Sequence, residues 1–467
     1  MVIPQRIRWY LLPLALVPLA VIRASLMAEP DTFWQIRVGQ DILRTGRIPH
    51  TDTYSWTAYG AEWHPNSWAF DVLLAWAYRA GGLTAVALAA AVFIPLAGLT
   101  VALLARRLGP TRPALSTLIV FVGFVPLLAW FSARPQVVDY VAVPLLLLLL
   151  DVAFRPERSA HRWAALAGVG VLQVVWVNLH LVAPIGVALA ATMTAGRFVG
   201  RGVNRRDTVL TGLLAVSVTS LGTLVNPFGW RIAVIAADVH DSAGVIKEWG
   251  HFTPTDPLSD VLLTVAVLGA VAAWRLRLPH FVLPSILLIG SGLYAKRMLP
   301  IAAIVGVALL VAVAMASTRR RAYADSRRTL IRFALISLVL GEAVLALVKG
   351  AGLSNPRYPV ALAERVPSDC RLFTSYTLGG LIILLRPEIL VSQDSRTDLY
   401  GRAFLITAHE VEFSEGLTGL EATGADCVFI EPASPLAVTL ATAPEWRSLG
   451  DERNGVLFVK NAVALGD

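Results

Sequence analysis

Uncharged apolar stretches of roughly 16–22 residues recur along most of this chain, and a helix of that length crosses the ~30 Å hydrocarbon core of a bilayer. Ala85–Ala105 and Leu258–Trp274 are typical. In lipid each spanning segment must satisfy its own backbone polar groups, which a single helix does. The chain is therefore predicted to be an α-helical polytopic membrane protein. Its composition agrees: 56% of residues are hydrophobic and 15% charged, against about 25% charged in soluble domains. The net charge of +8 does not point to nucleic acid, because the arginines sit in short loops between apolar runs, where they set orientation.

About eleven spans are predicted: 9–26, 84–105, 114–132, 137–153, 163–178, 182–197, 208–225, 258–274, 280–295, 299–316 and 331–348. The first, preceded by Arg6 and Arg8, has the start of a signal peptide but no good cleavage site, and is read as a helix that stays. With the N-terminus cytoplasmic, the inward loops carry Arg106/Arg107/Arg112, Arg155/Arg158/Arg162, Arg197/Arg201/Arg205/Arg206, Arg275/Arg277 and the cluster from Arg319 to Arg332. Each inward loop obeys the positive-inside rule, which places the protein in the plasma membrane with this orientation. Spans 163–178 and 182–197 are short and the weakest of the set, and losing one would break the parity.

Two regions are not spans. Residues 27–83 form a long first outward loop, and 350–467 a tail that parity also places outside. This divides the chain into a transmembrane module, 1–349, and a small extracytoplasmic α/β domain, 350–467. In the tail, β-rich runs at Arg371–Thr374, Ile389–Ser392, Cys427–Ile430 and Val456–Val459 alternate with helical stretches at Ala403–Phe413 and Pro435–Ala441. Such alternation favours a partly parallel sheet. Gly379-Gly380 marks a turn or close packing, and no phosphate-binding glycine loop follows a strand. Cys370 and Cys427 are either a disulfide, allowed outside the cytoplasm, or two small buried strand residues.

The first loop opens with Glu29-Pro30-Asp31. Trp34, Val38 and Ile42 then recur at i+4, a helix too polar to cross that should lie in the interface. A turn-rich coil follows with Asp52, Glu62 and His64, and then a short apolar helix, Ala69–Arg79, ended by Gly81-Gly82.

These stretches resemble the GT-C superfamily of membrane glycosyltransferases, which includes protein O-mannosyltransferases and aminoarabinose transferases. The resembling residues are the Glu29-Pro30-Asp31 motif, DTFWQIRVGQDILRTGRIP and EWHPNSWAFDVLLAWAYRAGG. NPFGWR, KEWGHFTP, YAKRMLP, SYTLGG and DSRTDLYG match a less characterised bacterial branch. The resemblance implies a polyprenyl-phosphate sugar donor in the membrane lipid, inverting transfer outside the membrane, and an acceptor that is a cell-envelope glycan, lipid or protein. It also implies that Asp31 is the catalytic base.

Such a transfer needs a base for the acceptor hydroxyl and a cation for the leaving phosphate. Asp31 is either that base or an ordinary helix N-cap. Glu29 and Asp31 together could hold a divalent cation, Mg or Mn, through oxygen ligands. His64 either assists proton transfer or orders its aromatic coil; Asp52 fits a turn. Lys296, Arg297 and Arg134 lie at outward span ends, against the inward bias, and either clamp the donor phosphate or snorkel to headgroups. Glu29, Trp34, His180, Lys247 and Glu248 are candidate cavity residues, with Arg23 a further phosphate or snorkelling candidate. The alternatives to a transferase are a flippase of lipid-linked saccharides and a non-catalytic scaffold of the same fold. Few charges fall mid-span and no internal repeat is evident, which counts against the flippase.

Overall fold

The computed structural model describes residues 13–24, 29–109, 113–200, 202–236, 249–318, 341 and 358–463. The span read at 331–348 lies outside them apart from position 341. Internal contacts divide the chain into two compact units that do not follow chain order. One comprises Met1–Met27, Ala87–Ala236 and Glu248–Leu353; the other comprises Ala28–Val86, Ala237–Lys247 and Ser354–Asp467.

The first unit is helical. Its described helices are α1 (Val17–Ala24), α4 (Phe93–Leu108), α5 (Pro113–Phe124), α6 (Asp139–Phe154), α7 (Ser159–Leu179), α8 (Ile185–Val199), α9 (Arg205–Leu224), α10 (Pro257–Arg275), α11 (Pro279–Tyr294) and α12 (Leu299–Thr318). Between α1 and α4 come α2 (Pro30–Thr45) and α3 (Trp68–Ala91). Among the described residues six segments are long and apolar enough to cross a membrane: 68–108, 135–154, 159–179, 205–224, 257–275 and 296–316. Four more apolar helices are shorter, α8 and α11 among them.

α12 is apolar all round, so it has no solvent face, and it packs against α4, α5, α6, α10 and α11. Small residues set the closest crossing. A Cβ on Gly306 would lie 2.6 Å from the Val265 carbonyl oxygen, and one on Gly269 would run into the Gly306 backbone.

At one end of this unit Asp151 is fully buried and is met by two arginines and a histidine: Arg107 Nε at 2.8 Å, Arg155 Nη2 at 2.6 Å and His280 Nε2 at 3.3 Å. Arg162 forks onto Asp207, 45 positions on, at 2.6 and 2.8 Å, joining the starts of α7 and α9. Three of the arginines read as inward, Arg107, Arg155 and Arg162, are thus paired with aspartates at helix ends.

The second unit combines the first loop with the tail. α3 begins here and loses helical geometry at Gly81 and Gly82, where Gly82 has φ 61°; the break falls where the sequence predicts the short helix to end. Gly39 of α2 packs so closely on α3 that a Cβ would run into the Asp71 carbonyl. The tail holds β1 (Leu372–Thr374), β2 (Cys427–Ile430), β3 (Trp446–Glu452) and β4 (Gly455–Lys460), with α13 (Val360–Ala363), α14 (Gly379–Leu385), α15 (Thr397–Glu412), α16 (Thr418–Thr423) and α17 (Pro435–Thr442). The strand order is β1-β2-β4-β3, β1 and β2 parallel and the rest antiparallel.

One face of the sheet buries Phe373, Val428, Ile430 and Phe458 against Leu420, Leu436 and Leu440. Cys370 and Cys427 form a disulfide with Cα atoms 5.8 Å apart. Val391, in the run read as a strand, makes only isolated parallel bridges, to Ser55 and Leu372. Through them the first loop extends the tail's backbone pairing: Trp56 N–H donates to Val391 O (3.0 Å) and Val391 N–H to Tyr54 O (3.1 Å).

Candidate functional site

The sequence-selected residues fall in both units. Glu29, Asp31, Trp34 and His64 belong to the second; Arg134, His180, Lys296 and Arg297 belong to the first. Lys247 and Glu248 lie outside the described residues.

In the second unit, Glu29, not Asp31, occupies the N-cap of α2. Its backbone is extended and its N–H donates to Thr32 Oγ1 at 3.0 Å. Pro30 takes the first helical position, where a missing N–H costs nothing. Asp31 is therefore the second residue of the first turn, with its charge placed favourably against the helix dipole but without the capping role its sequence position suggested.

The indole of Trp34 ties Asp31 to the tail. Its Nε1 is 3.4 Å from Asp31 Oδ1 and 3.1 Å from Ser395 Oγ, and its ring meets Trp63 edge-on at 5.7 Å. Trp63 in turn donates to Asp398 Oδ2 at 3.3 Å. Burial pushes the Asp398 carboxyl up to about 6, with the Arg396 charge opposing that rise. His64, next to Trp63, is 3.6 Å from Glu62 Oε1 and packs its ring at 5.5 Å from that of His50.

Asp52 does order the loop: its carboxylate accepts from Tyr54 N, Ser55 N and Ser55 Oγ. It also receives Arg396 Nη1 at 2.7 Å, and Arg396 forks onto Asp394 through Nε at 2.8 Å and Nη2 at 2.6 Å. The DSRTDLYG stretch thus joins the tail to the first loop, next to the pairing at Val391. Gly380 of SYTLGG completes it, since a Cβ there would lie 2.7 Å from the Pro30 carbonyl oxygen.

In the first unit a polar group collects around the segment from Arg134 to Asp139. Asp139, at the start of α6, is buried and accepts from Trp176 Nε1 at 2.7 Å, with His180 Nδ1 2.8 Å away. His180 follows the last turn of α7. Gln136 Oε1 accepts from Arg297 Nη2 at 3.3 Å, and the Arg297 guanidinium lies 4.2 Å from the Trp249 ring centroid. Lys296 is fixed by its backbone, which donates to Gly250 O at 3.2 Å. Arg134 precedes the short 3-10 turn Pro135–Val138. Arg23 donates to the carbonyl oxygens of Leu128 (2.7 Å) and Ala129 (3.3 Å).

Sequence reasoning selected His180 but missed Asp139, which holds it. The signal was an acidic residue, one of two with Asp151, inside an otherwise apolar run. It also missed Gln136 and Trp249, the partners of Arg297.

A divalent cation finds oxygen donors of the right kind in Glu29 and Asp31. Among the described residues, however, no group of three or more His, Cys, Asp or Glu side chains stands together as a metal site, and two carboxylates are few for a hard cation.

No family model matches the sequence, and no curated protein matches it. Solved structures do match. ArnT from Cupriavidus metallidurans in the apo state aligns with a TM-score of 0.61 at 12% identity, covering 96% of this chain and 97% of that one. The same enzyme bound to undecaprenyl phosphate aligns over 98% and 99%, with a TM-score of 0.57 at 14% identity. The archaeal oligosaccharyltransferase AglB from Archaeoglobus fulgidus, in complex with an inhibitory peptide and a dolichol-phosphate, aligns over 91% of this chain and 69% of that one, with a TM-score of 0.63 at 12% identity. The chain has the GT-C fold of the membrane glycosyltransferases.

Proposed function

We propose that this protein is an inverting glycosyltransferase of the plasma membrane, taking a sugar from a polyprenyl-phosphate donor to an extracytoplasmic acceptor. The observation that carries the reading is the end-to-end likeness to ArnT bound to undecaprenyl phosphate, which covers nearly all of both chains. In this reading about eleven helices cross the membrane. The N-terminus and the Arg107–Asp151–Arg155 end are cytoplasmic, and the first loop and tail lie outside.

Asp31 is the base. As the acceptor hydroxyl oxygen attacks the anomeric carbon, Asp31 takes its proton and the bond to the phosphate oxygen breaks, leaving polyprenyl phosphate with the electron pair. The Trp34 indole and the first turn of α2 fix the carboxylate. Arg297, with Lys296 or Arg134, offsets the charge on the leaving phosphate, since a guanidinium can meet two phosphate oxygens at once. Trp249 stacking and Gln136 hold Arg297 in one orientation. His64 serves the acceptor side. If a divalent cation takes part, Glu29 and Asp31 would hold it and it would supply further neutralisation of phosphate charge.

The test is incubation of the purified full chain with radiolabelled undecaprenyl-phosphate sugars and cell-envelope acceptor fractions. Label passing from lipid to acceptor supports the reading. Lipid-phosphate binding without transfer to any acceptor contradicts it and favours a flippase or scaffold.

A further inference from the structure

The second unit contains a cavity of about 310 Å³ that no part of the mechanism above uses. Its lining includes Pro30, Tyr358, Thr377, Glu431, Arg453 and Asn454. That volume is at the small end of the range for small-molecule sites, about 300–1,000 Å³. Pro30 immediately precedes Asp31, so the cavity opens beside the first turn of α2.

Its walls come from points the fold fixes well. Glu431 follows the last residue of β2, and Arg453 and Asn454 form the turn between β3 and β4. Thr377 lies in the SYTLGG turn that Gly380 presses against the Pro30 carbonyl. Thr377 Oγ1 donates to Glu431 Oε1 at 2.7 Å, which orients the carboxylate. The Tyr358 ring is held edge-on by Phe33 of α2, with centroids 4.5 Å apart.

The chemistry of this lining is mixed in a particular way. One carboxylate and one guanidinium cancel in charge, so the cavity has no net preference for an anion such as phosphate or for a cation. A carboxylate, an amide and a guanidinium are planar groups that pair with vicinal hydroxyls, and a hydroxyl adds a further donor and acceptor. Tyr358 and Pro30 offer flat apolar surface for the C–H face of a ring. We propose that this cavity binds a neutral saccharide, the terminal sugar of the acceptor, and presents it beside Asp31. The proposal rests on the transferase reading and adds to it the class of acceptor.

Saturation-transfer NMR on the full chain in detergent tests it, with methyl glycosides of the common hexoses and N-acetylhexosamines as probes and a serine-containing peptide as comparison. Undecaprenyl-phosphate binding is measured on the same samples. At least one methyl glycoside should bind. Glu431→Ala and Arg453→Ala, both at exposed positions, should each weaken that binding tenfold or more while leaving undecaprenyl-phosphate binding unchanged. Binding of no glycoside, glycoside binding that both variants keep, or binding of the peptide in place of the glycosides overturns the proposal. Failure of the wild type to bind undecaprenyl phosphate would instead count against the transferase reading, whatever the glycosides do.

Discussion

Arg396 and Asp52 are 344 positions apart in the chain, yet Arg396 Nη1 lies 2.7 Å from Asp52 Oδ1 and both side chains are completely shut off from solvent. The same guanidinium forks onto Asp394, and the Trp63 ring lies 4.7 Å away, its centroid measured from the guanidinium carbon. This side chain is therefore the buried ionic part of the tie between the first loop and the tail, beside the backbone pairing at Val391 and the Trp34–Ser395 bond. Removing it leaves two buried carboxylates without their counter-charge.

Arg396→Met should accordingly destabilise the protein by about 3–5 kcal/mol, the usual cost of breaking a buried pair from one side. Arg396→Lys should recover little of this, because an ammonium cannot reproduce the fork. Thermal melts of the detergent-solubilised protein check both, the expected result being a large fall in melting temperature for each variant.

Glu412 gives a pH signature in the tail. Burial, with the Glu431 charge adding to it, pushes its carboxyl up to about 7 from an ordinary value of 4.5. Between those values the folded protein keeps a proton that the unfolded chain has released, so stability falls as pH rises through that window and levels off above 7. Glu412→Gln should be more stable than wild type at pH 8, by on the order of 2 kcal/mol, and indistinguishable from it at pH 4. Melting curves at the two pH values decide the matter; equal differences at both would contradict the assignment.

Orientation can be read with single cysteines, the native pair being engaged in the Cys370–Cys427 disulfide. Ser159 and Gly416 are both exposed, and a Cβ at Gly416 meets nothing within 4 Å. In intact cells a membrane-impermeant maleimide should label Gly416→Cys and spare Ser159→Cys until the membrane is opened. The reverse pattern would invert the topology.

What the sequence revealed, and what it hid, follows from the range of the interactions. The six long apolar helices are legible because lipid demands unbroken apolar runs, and the Gly81-Gly82 break because glycine adopts backbone angles that others avoid. β2 and β4 are legible as apolar β-branched runs. β3, WRSLGDE, is not: it is an edge strand with much of its surface exposed, and its polar residues read as loop. Asp139 was absorbed into a predicted span because the neighbouring residues are apolar, and its partners Trp176 and His180 lie some 40 residues on. The tie between Arg396 and Asp52 is likewise tertiary, with no local signal at either residue. Asp31 was legible as a candidate from its motif. That Glu29 takes the cap, and that Trp34 bridges Asp31 to Ser395, needed the fold.

Removal of the acceptor proton by Asp31 is tested by turnover of Asp31→Asn against wild type with one labelled undecaprenyl-phosphate sugar, alongside binding of undecaprenyl phosphate. Turnover should fall by about 10²–10⁴-fold with lipid-phosphate binding retained, if Asp31 is the base. Unchanged turnover in Asp31→Asn would contradict it.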